Sequence, residues 1–475
     1  MGSSSSVFGN RLAVCLILST ILLMSVASVS TLQNISLMDS AKDSNTGDNN
    51  GLPAPNYEKA PPQYDKLLVL KAKLSDSSFG SNPASLSAMA SGSLNSYYQE
   101  VSYNQELMNA TIINTIYNLT QTESYYASGG NIIQLINETV IQANASVVSL
   151  GGYSIFRHIV IIHSGTDKAV THTLTDISSE FVYNLGGSPL INRSHIRIQN
   201  ACIVAQADPL GVVAHEVGHS LGLPDLYDIT YSGSGSIDPP FVGRWDLMGA
   251  GSWSPYDPLG FSLPTGTSPA HPSTWCKIKL GWIKPGQIVS ITQTAIHVSG
   301  SNVIVYLKPE EANESTLAIR IVLDNGTYLL VENRQQIGYD AALPSRGILI
   351  LYCDDSIPSG YGPVIIRSAN PPGYGAFAAF NVGGFVSNNF FGDRSADIGV
   401  KILNKWVNGT YKILVGDYDY VFNTPTEYMD PAIPLILFIA VFAVVAIVTL
   451  VVYVKRGRQK TQKSTYGDIT TIKLS

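Results

Sequence analysis

The sequence has few cysteines for a chain of its length. Only four occur in 475 residues, and Cys15 lies in an apolar run near the amino terminus, which leaves Cys202, Cys276 and Cys353. Three thiols form at most one intramolecular disulfide, so the sequence excludes a disulfide-stapled scaffold. Their wide spacing also rules out a cysteine zinc knuckle. The stability of the protein must therefore come from packed hydrophobic cores.

Charged residues are also scarce. They make up 13% of the chain, and the formal net charge is −6. A chain with so little positive charge offers no basic surface for nucleic acid, so we expect no nucleic-acid partner. With 45% hydrophobic residues, the chain is long enough to form two globular domains.

Two long apolar runs lie near the ends of the chain. Arg11 precedes the run 12–27, and small residues follow it, which predicts a signal peptide at residues 1–30. An uncleaved membrane anchor is the alternative. The run 432–454 contains no charged residue and leads into a basic tail at 455–475, which is typical of a transmembrane helix with a cytoplasmic carboxyl end. The sequence thus predicts a single-pass protein of the cell membrane with an extracellular main part.

Residues 31–63 are rich in Asn, Asp, Gly and Pro and poor in large apolar residues. Such a composition predicts a polar linker or a short pro-segment, because it cannot bury enough apolar surface to offset the cost of ordering. N-glycosylation sequons precede the second apolar run, as an extracellular main part requires, so we expect N-linked glycans. The sequons begin at Asn34, Asn109, Asn118, Asn137, Asn144, Asn192, Asn313, Asn325 and Asn408.

Hydrophobic periodicity divides the rest of the chain into two parts. The runs LLVLKAKL after Lys66 and HIVIIHSG at 158–165 predict strands, and the spacing of apolar residues at 131–145 predicts a helix. Beyond Trp282, short alternating runs separated by Gly, Asn and Pro predict strands only. We therefore expect an α/β (α+β) domain at 64–285 and an all-β domain at 286–425.

One segment carries residues suited to metal-dependent hydrolysis. His215, Glu216 and His219 form an HExxH motif, and residues four apart on a helix project to one side, so both imidazoles can bind one Zn²⁺. Glu216 would then be the general base that takes a proton from the attacking water. Asp208 and Pro209 predict the start of this helix, and Gly222 predicts its end.

A third metal ligand is predicted shortly after the helix. Gly222 and Pro224 turn the chain, and Asp225 follows in HExxHxxGxxD spacing, which makes it the expected ligand. Asp228 is the competing carboxylate, and one of the two would then only cap the turn or bind a structural ion. Calcium is a second candidate metal, with Asp238 and Asp246 as ligands, although a single carboxylate in a loop is commonly a turn residue.

The segment HEVGHSLGLPDLYD at 215–228 resembles the active-site signature of the immune inhibitor A family of zinc metallopeptidases, and WDLMGAGSW at 245–253 resembles its continuation. Four other stretches are similar to that family: 94–103, 158–165, 275–282 and 331–354. The resemblance implies a zincin-like catalytic domain with His215, His219 and Asp225 as zinc ligands and Glu216 as catalytic base. It also implies that Met248 lies in a turn beneath the metal. Unlike many members, this chain has a predicted membrane anchor and only a short segment before Lys66.

These features together predict a membrane-anchored zinc metalloendopeptidase that cleaves extracellular polypeptides. The alternative is a surface binding or adhesion protein that keeps the scaffold without turnover. The presence of Glu216 argues against that alternative, because a purely structural zinc site is usually closed by a fourth protein ligand.

Overall fold

The computed structural model describes a single unit of the chain, within residues 57–475. The described residues are 63–185, 196, 198–230, 240–255, 265–300, 302–371, 375, 378–382, 388–427 and 442–456. The predicted signal peptide and, except for Gln63, the predicted linker lie outside them. So do residues 457–475 of the predicted cytoplasmic tail.

A five-stranded, mostly parallel sheet lies in the first part of the chain. Its strands are β1 (Gln63–Lys73), β2 (Glu106–Asn118), β3 (His158–His163), β4 (Glu180–Val182) and β5 (Ala201–Ala205). The strand order is β2-β1-β3-β5-β4, and β4 alone is antiparallel to its neighbour. Every residue of β3 and β5 is buried, as expected for strands covered on both faces. The two strands predicted at 66–74 and 158–165 are confirmed.

Helices cover both faces of this sheet. They are α1 (Ala84–Ala90), α2 (Ser93–Val101), α3 (Glu123–Tyr126), α4 (Ile132–Ser149), α5 (Lys168–Thr171), α6 (Leu210–Leu221) and α7 (Thr274–Lys279). Successive side chains of a strand point to opposite faces, so Leu67 packs in the core of α2 and α6 while Leu68 packs in the core of α4. The helix predicted at 131–145 is α4. The mixed α/β architecture expected for this part is thus observed.

The second part of the chain forms two further sheets. Their strands are β6 (Ile288–Thr292), β7 (Val303–Leu307), β8 (Ala318–Val322), β9 (Tyr328–Arg334), β10 (Gly347–Cys353), β11 (Val364–Ile366), β12 (Phe390–Asp393), β13 (Ile398–Lys405) and β14 (Tyr411–Asp417). The orders are β11-β10-β9-β8-β6 and β12-β13-β14-β7. Two short helices, α8 (Gln293–Ser299) and α9 (Tyr418–Asn423), interrupt the region. The expectation of strands only is wrong at these two places, where Thr292 and Asp417 cap helix starts.

The two parts of the chain share one hydrophobic core. The largest cluster of buried residues joins Leu67 of β1 and Val213 of α6 to Leu330 of β9 and Leu349 of β10. A separate core lies between the two later sheets and includes Val305, Ile319 and Val400. The division of the chain at residue 285 stays a prediction.

A buried network of charged side chains also joins the two parts. Arg334 at the end of β9 is fully buried, and its guanidinium contacts the carboxylates of Glu310 at 2.8 Å, Asp340 at 2.7 Å and Glu332 at 3.2 Å. Its Nη1 also donates a hydrogen bond to the carbonyl of Trp245 at 2.7 Å. Long-range contacts of β9 therefore reach the segment that follows the HExxH motif.

The carboxylates of this network lie close to a buried histidine. His271, Glu310 and Asp340 could by their spacing hold a metal ion. Glu310 is, however, already paired with Lys277 at 2.6 Å and with Arg334, and Asp340 is also paired with Arg334. Lys277 and Arg334 therefore supply the positive charge that a metal ion would otherwise provide to these carboxylates.

The cysteines that the structure describes are all free thiols. Cys202, Cys276 and Cys353 are buried and unpaired. Burial raises the pKa of each thiol well above its usual value. The described part of the chain is therefore held by its cores without a disulfide framework, as the cysteine count predicts.

Residues 442–456 are helical, and their side chains are exposed. They cover only part of the transmembrane helix predicted at 432–454, because residues 428–441 lie outside the described residues. Within the part of the chain that the structure describes, no helix combines the length and the apolar character needed to cross a bilayer. The predicted anchor stays a prediction.

Candidate active site

The HExxH residues lie on α6. The sequence predicted the end of this helix correctly but not its start. Gly222 ends the helix in the left-handed region, with φ +106°, as predicted for a residue without a Cβ. The expected start is wrong: Pro209 occupies the N-cap position and Asp208 does not cap the helix. The carboxylate of Asp208 instead accepts a hydrogen bond from the amide of Ala205 at 2.7 Å, at the end of β5.

The structure brings His215, His219 and Asp225 together. The Nε2 atoms of the two imidazoles are 3.1 Å apart, and Asp225 Oδ1 lies 3.2 Å from His215 Nε2 and 3.1 Å from His219 Nε2. Although Asp225 Oδ1 lies this close to both rings, it is buried without a hydrogen-bond partner. In a tetrahedral zinc site with bonds of about 2.0–2.1 Å, neighbouring ligand atoms are about 3.3 Å apart. The three atoms therefore form a triangle whose size and chemistry fit three ligands of one Zn²⁺.

Backbone carbonyls fix the orientation of both imidazoles. The Nδ1 of His215 donates to the carbonyl of Leu247 at 2.9 Å, and the Nδ1 of His219 donates to that of Leu223 at 2.8 Å. Each neutral ring then carries its proton on Nδ1 and presents the lone pair of Nε2 to the triangle. This is the outer-shell arrangement that holds histidine ligands in the correct tautomer.

Asp225 is held by residues far along the chain. Its amide donates to the hydroxyl of Ser359 at 2.9 Å, and its carbonyl accepts a hydrogen bond from the amide of Gly360 at 3.0 Å. The carbonyl of Gly360 in turn accepts from the amide of Ile229 at 3.2 Å. The turn after α6 is thus fastened to the loop between β10 and β11.

The charges of these groups depend strongly on one another. Burial lowers the pKa of His215, but the neighbouring carboxylates of Asp225 and Glu216 outweigh burial and raise that pKa to about 9. Burial by itself raises the pKa of Asp225, and the two histidines lower it well below its usual value. The carboxylate therefore favours positive charge at the triangle, which a proton or a metal cation can provide.

Glu216 lies beside the triangle in a cavity of about 350 Å³. Its side chain is buried, and its Oε2 has no hydrogen-bond partner. Burial raises the pKa of this carboxyl to about 7. The cavity is lined by Asp167, Ala169, Ser179, Val212, His215, Glu216, Tyr227, Gly249, Ala250, Ser252 and Trp253. A proton acceptor thus shares this cavity with His215, one corner of the triangle.

Met248 packs directly under the helix of the HExxH motif. It is fully buried, and its Sδ would lie 2.8 Å from a Cβ added at Gly218. Asp246 fixes the turn that carries it, because one carboxylate oxygen accepts from the amide of Met248 and the other accepts from the amide of Ser273, both at 2.7 Å. Met248 thus lies beneath the residues of the triangle, in the place that the resemblance implies for it.

We predict that Gly218→Ala lowers the free energy of unfolding by about 1–3 kcal/mol, because the added methyl group overpacks against Met248. Chemical denaturation measures this loss. Met248→Ala removes the clashing sulfur, so the double variant should lose less stability than the two single losses added together. Additive losses would contradict the close packing of Gly218 on Met248. Gly80→Ala is the matched control, since the nearest atom to its added Cβ is a side-chain oxygen at 3.7 Å.

The other predicted carboxylates do not join the triangle. Asp228 folds into its own turn, where its Oδ1 accepts from the amide of Thr230 at 2.8 Å and from its hydroxyl at 2.6 Å. Of the two calcium candidates, Asp246 uses both oxygens on backbone amides, which favours the interpretation as a turn residue. Asp238 lies outside the described residues.

Two aromatic side chains at the site were not predicted. Phe181 on β4 stacks on the ring of His219, with ring centres 6.1 Å apart. Tyr227 faces the ring of His215 at 6.1 Å and lines the cavity. Burial, followed by the charges of Asp225 and Glu216, raises the pKa of Tyr227, so its hydroxyl stays protonated and can donate a hydrogen bond. Tyr227 lies two residues after Asp225 and could have been noticed in the sequence, whereas no local signal identifies Phe181.

Comparison with known proteins relates this site to a peptidase family. Residues 144–283 match the family model described as immune inhibitor A peptidase M6, catalytic domain. The pre-pro-metalloprotease PrtV of Vibrio cholerae serotype O1 is 46% identical over 67 residues, which are 14% of this chain and 6% of that protein. Immune inhibitor A of Bacillus thuringiensis subsp. alesti is 43% identical over 62 residues, which are 13% of this chain and 8% of that protein. The matches thus span less than a tenth of these relatives.

Two crystal structures of wild-type OgpA from Akkermansia muciniphila are also similar, at 12% sequence identity. One alignment covers 65% of this chain and 93% of that chain with a TM-score of 0.27, and the other covers 76% and 94% with a TM-score of 0.30. TM-scores this low support no inference about the present chain.

The family model and the curated relatives confirm the resemblance of this chain to the immune inhibitor A family of peptidases. The match of the family model lies in residues 144–283.

Proposed function

We propose that this protein is a zinc metalloendopeptidase that hydrolyses peptide bonds of extracellular polypeptides. The observation that carries the proposal is the triangle formed by His215 Nε2, His219 Nε2 and Asp225 Oδ1, with the carboxylate of Glu216 in a cavity that His215 also lines. The family match at residues 144–283 supports the same reaction class.

The donor set favours zinc over the harder divalent cations. Two imidazole nitrogens and one carboxylate oxygen suit Zn²⁺, whereas Ca²⁺ and Mg²⁺ prefer sites made of oxygen atoms alone. Three protein ligands are the number found in catalytic zinc sites, which leave a fourth position for water or substrate. Zinc, when bound there, lowers the pKa of water and polarises the carbonyl group of the scissile bond.

Glu216 is proposed as the group that transfers the proton. Its Oε2 has no hydrogen-bond partner, so it can accept a proton from the water that attacks the peptide carbonyl. The protonated carboxyl can then donate this proton to the amine that leaves. Tyr227, whose hydroxyl stays protonated, is a candidate hydrogen-bond donor to the substrate in the same cavity.

The edge of the first sheet supports a polypeptide as the substrate. Among the described strands, β4 is at the end of the sheet and pairs only with β5. An extended peptide can add to such an edge through main-chain hydrogen bonds. Because Phe181 of β4 stacks on His219, a peptide on this edge would pass close to the proposed zinc ligands.

The location of the protein is proposed from its sequence. The apolar run 432–454 with the basic tail after it supports a single anchoring helix, and the run 12–27 supports export. Together they support a single-pass protein of the cell membrane with its catalytic domain outside, bearing N-linked glycans.

The proposal is tested by measuring zinc content and casein cleavage on the purified chain and on its Glu216→Ala variant. We expect about one zinc per chain in both proteins and cleavage by the parent alone, because Glu216 is not a metal ligand. Zinc binding by the parent without cleavage of casein or of a broad peptide library would favour a binding protein on a peptidase scaffold. Cleavage by the Glu216→Ala variant at the rate of the parent would refute the role of this residue.

A further inference from the structure

The loop between β10 and β11 holds both main-chain polar groups of Asp225. Ser359 accepts from the amide of Asp225 at 2.9 Å, and the amide of Gly360 donates to the carbonyl of Asp225 at 3.0 Å. The carbonyl of Gly360 also accepts from the amide of Ile229 at 3.2 Å. Ser359 is exposed and Gly360 is buried. Water therefore competes least with the contacts of Gly360.

The base of this loop is fixed by residues outside the turn that follows α6. Cys353 of β10 pairs with Val364 of β11. Between them, the carboxylate of Asp355 accepts from the indole of Trp275 on α7 and from the hydroxyl of Tyr328 on β9, both at 3.1 Å. The strands and α7 thus set the position of the loop, and the loop in turn restrains the turn.

Gly360 makes its contacts because it has no side chain. Its φ is +78°, a left-handed conformation that residues with a Cβ adopt only at a cost. A Cβ added there would lie 2.5 Å from Cγ2 of Ile229, which is closer than packed carbon atoms approach. A side chain at position 360 would therefore push the loop away from the turn that contains Asp225.

We propose that Gly360 and Ser359 are positioning residues that set the zinc affinity of the site through Asp225. This inference rests on the function proposed above, because it takes Asp225 as a zinc ligand. Asp225 Oδ1 lies 3.1–3.2 Å from both imidazole nitrogens, and its side chain is short, so a displaced main chain moves this oxygen out of the triangle. Both positioning residues lie outside the matched residues 144–283. The metal site thus depends on the second part of the chain.

Zinc affinity of the full-length chain, measured by competition with a chromophoric chelator, tests the proposal. We expect Gly360→Ala to weaken zinc binding by about 10–100-fold, the usual effect of losing an outer-shell contact. Gly326→Ala is the matched control, because φ at Gly326 is +89° and no atom lies within 4 Å of an added Cβ. It introduces the same kind of backbone strain in the turn between β8 and β9, so its zinc affinity should equal that of the parent.

Ser359→Ala is a milder test that leaves the backbone of the loop unstrained. It removes one hydrogen bond to Asp225, so zinc binding should weaken by about two- to tenfold. Ser356→Ala is its control in the same loop, because the hydroxyl of Ser356 donates to the carboxylate of Asp354 and makes no contact with Asp225. Zinc affinity of the Ser356→Ala variant should stay at the level of the parent.

A second substitution separates positioning from a general loss of stability. Ile229→Ala removes the side chain that the methyl group of Gly360→Ala meets, so the double variant should regain part of the lost zinc affinity. Thermal unfolding of the zinc-free proteins is measured in parallel. Gly360→Ala and Ser359→Ala variants that bind zinc like the parent, whatever their stability, would overturn the proposal. Absence of zinc binding by the parent itself would refute the proposed function, and this inference with it.

Discussion

Asp225→Ala is expected to lower the zinc affinity of the chain and to reduce peptide hydrolysis by more than about 100-fold, which exceeds the usual loss for an outer-shell partner. The reason is geometric: Asp225 Oδ1 is the third corner of the triangle, 3.1–3.2 Å from both imidazole nitrogens. Two histidines alone cannot complete the three-ligand set of a catalytic zinc site. Zinc content after competition with a chelator and kcat/KM on a peptide are the measurements.

Asp228→Ala is the control for this prediction, because the sequence alone leaves Asp228 as the competing ligand. Its carboxylate is engaged with Thr230 in its own turn, so zinc content should stay at the level of the parent and activity should change by only a small factor. Loss of zinc from the Asp228 variant together with retention by the Asp225 variant would reverse the assignment of the third ligand.

Arg334→Met is expected to lower the free energy of unfolding by about 3–5 kcal/mol, as is usual when one partner of a buried ion pair is removed. The guanidinium is fully buried and faces the carboxylates of Glu310, Glu332 and Asp340. Without it, Lys277 is the remaining cation in contact with Glu310, so the other two carboxylates must be buried uncompensated or bind protons. Urea denaturation at neutral pH measures the difference.

Arg394→Met provides the comparison for Arg334, because the side chain of Arg394 is 72% exposed and its contact with Asp419 is 3.8 Å long. Exposed pairs of this kind contribute about 0–1 kcal/mol. Arg334→Lys keeps the charge but loses the planar fork that reaches several carboxylates and Trp245, so its stability should lie between the parent and Arg334→Met. If Arg334→Met were as stable as the parent, the carboxylates would have to be stable in their protonated form.

The parts of the site that the sequence predicts are those set by local geometry. Helical spacing places His215 and His219 on one side of α6, and the Gly222 turn returns Asp225 within reach of both. These features depend on a span of eleven residues. The failed prediction in this segment is Asp208 as N-cap. Its carboxylate instead accepts from the nearby amide of Ala205 and from the hydroxyl of Ser179, which is 29 residues away, so the cause is only partly local.

The parts that the sequence does not predict depend on contacts between distant segments. The carbonyl of Leu247 orients His215 from 32 residues away. Any residue at position 247 offers the same backbone carbonyl, so the identity of its side chain gives no sign of this contact. Likewise, nothing in the pattern of β4 indicates that Phe181 stacks on His219. Periodicity predicts strands and helices, but it gives no information about which sheet edge lies beside α6.

The hydrogen bonds that Asp225 makes with Ser359 and Gly360 restrict how this gene can be rearranged in evolution. The segment with the HEVGH sequence and the loop between β10 and β11 are fastened together through Asp225, and Arg334 reaches Trp245 in the same way. A genetic crossover near residue 285 would pair one half of these contacts with an unrelated partner. Because β7 also pairs with β14 and shares a core with it, viable recombinants should inherit residues 63–417 as one block.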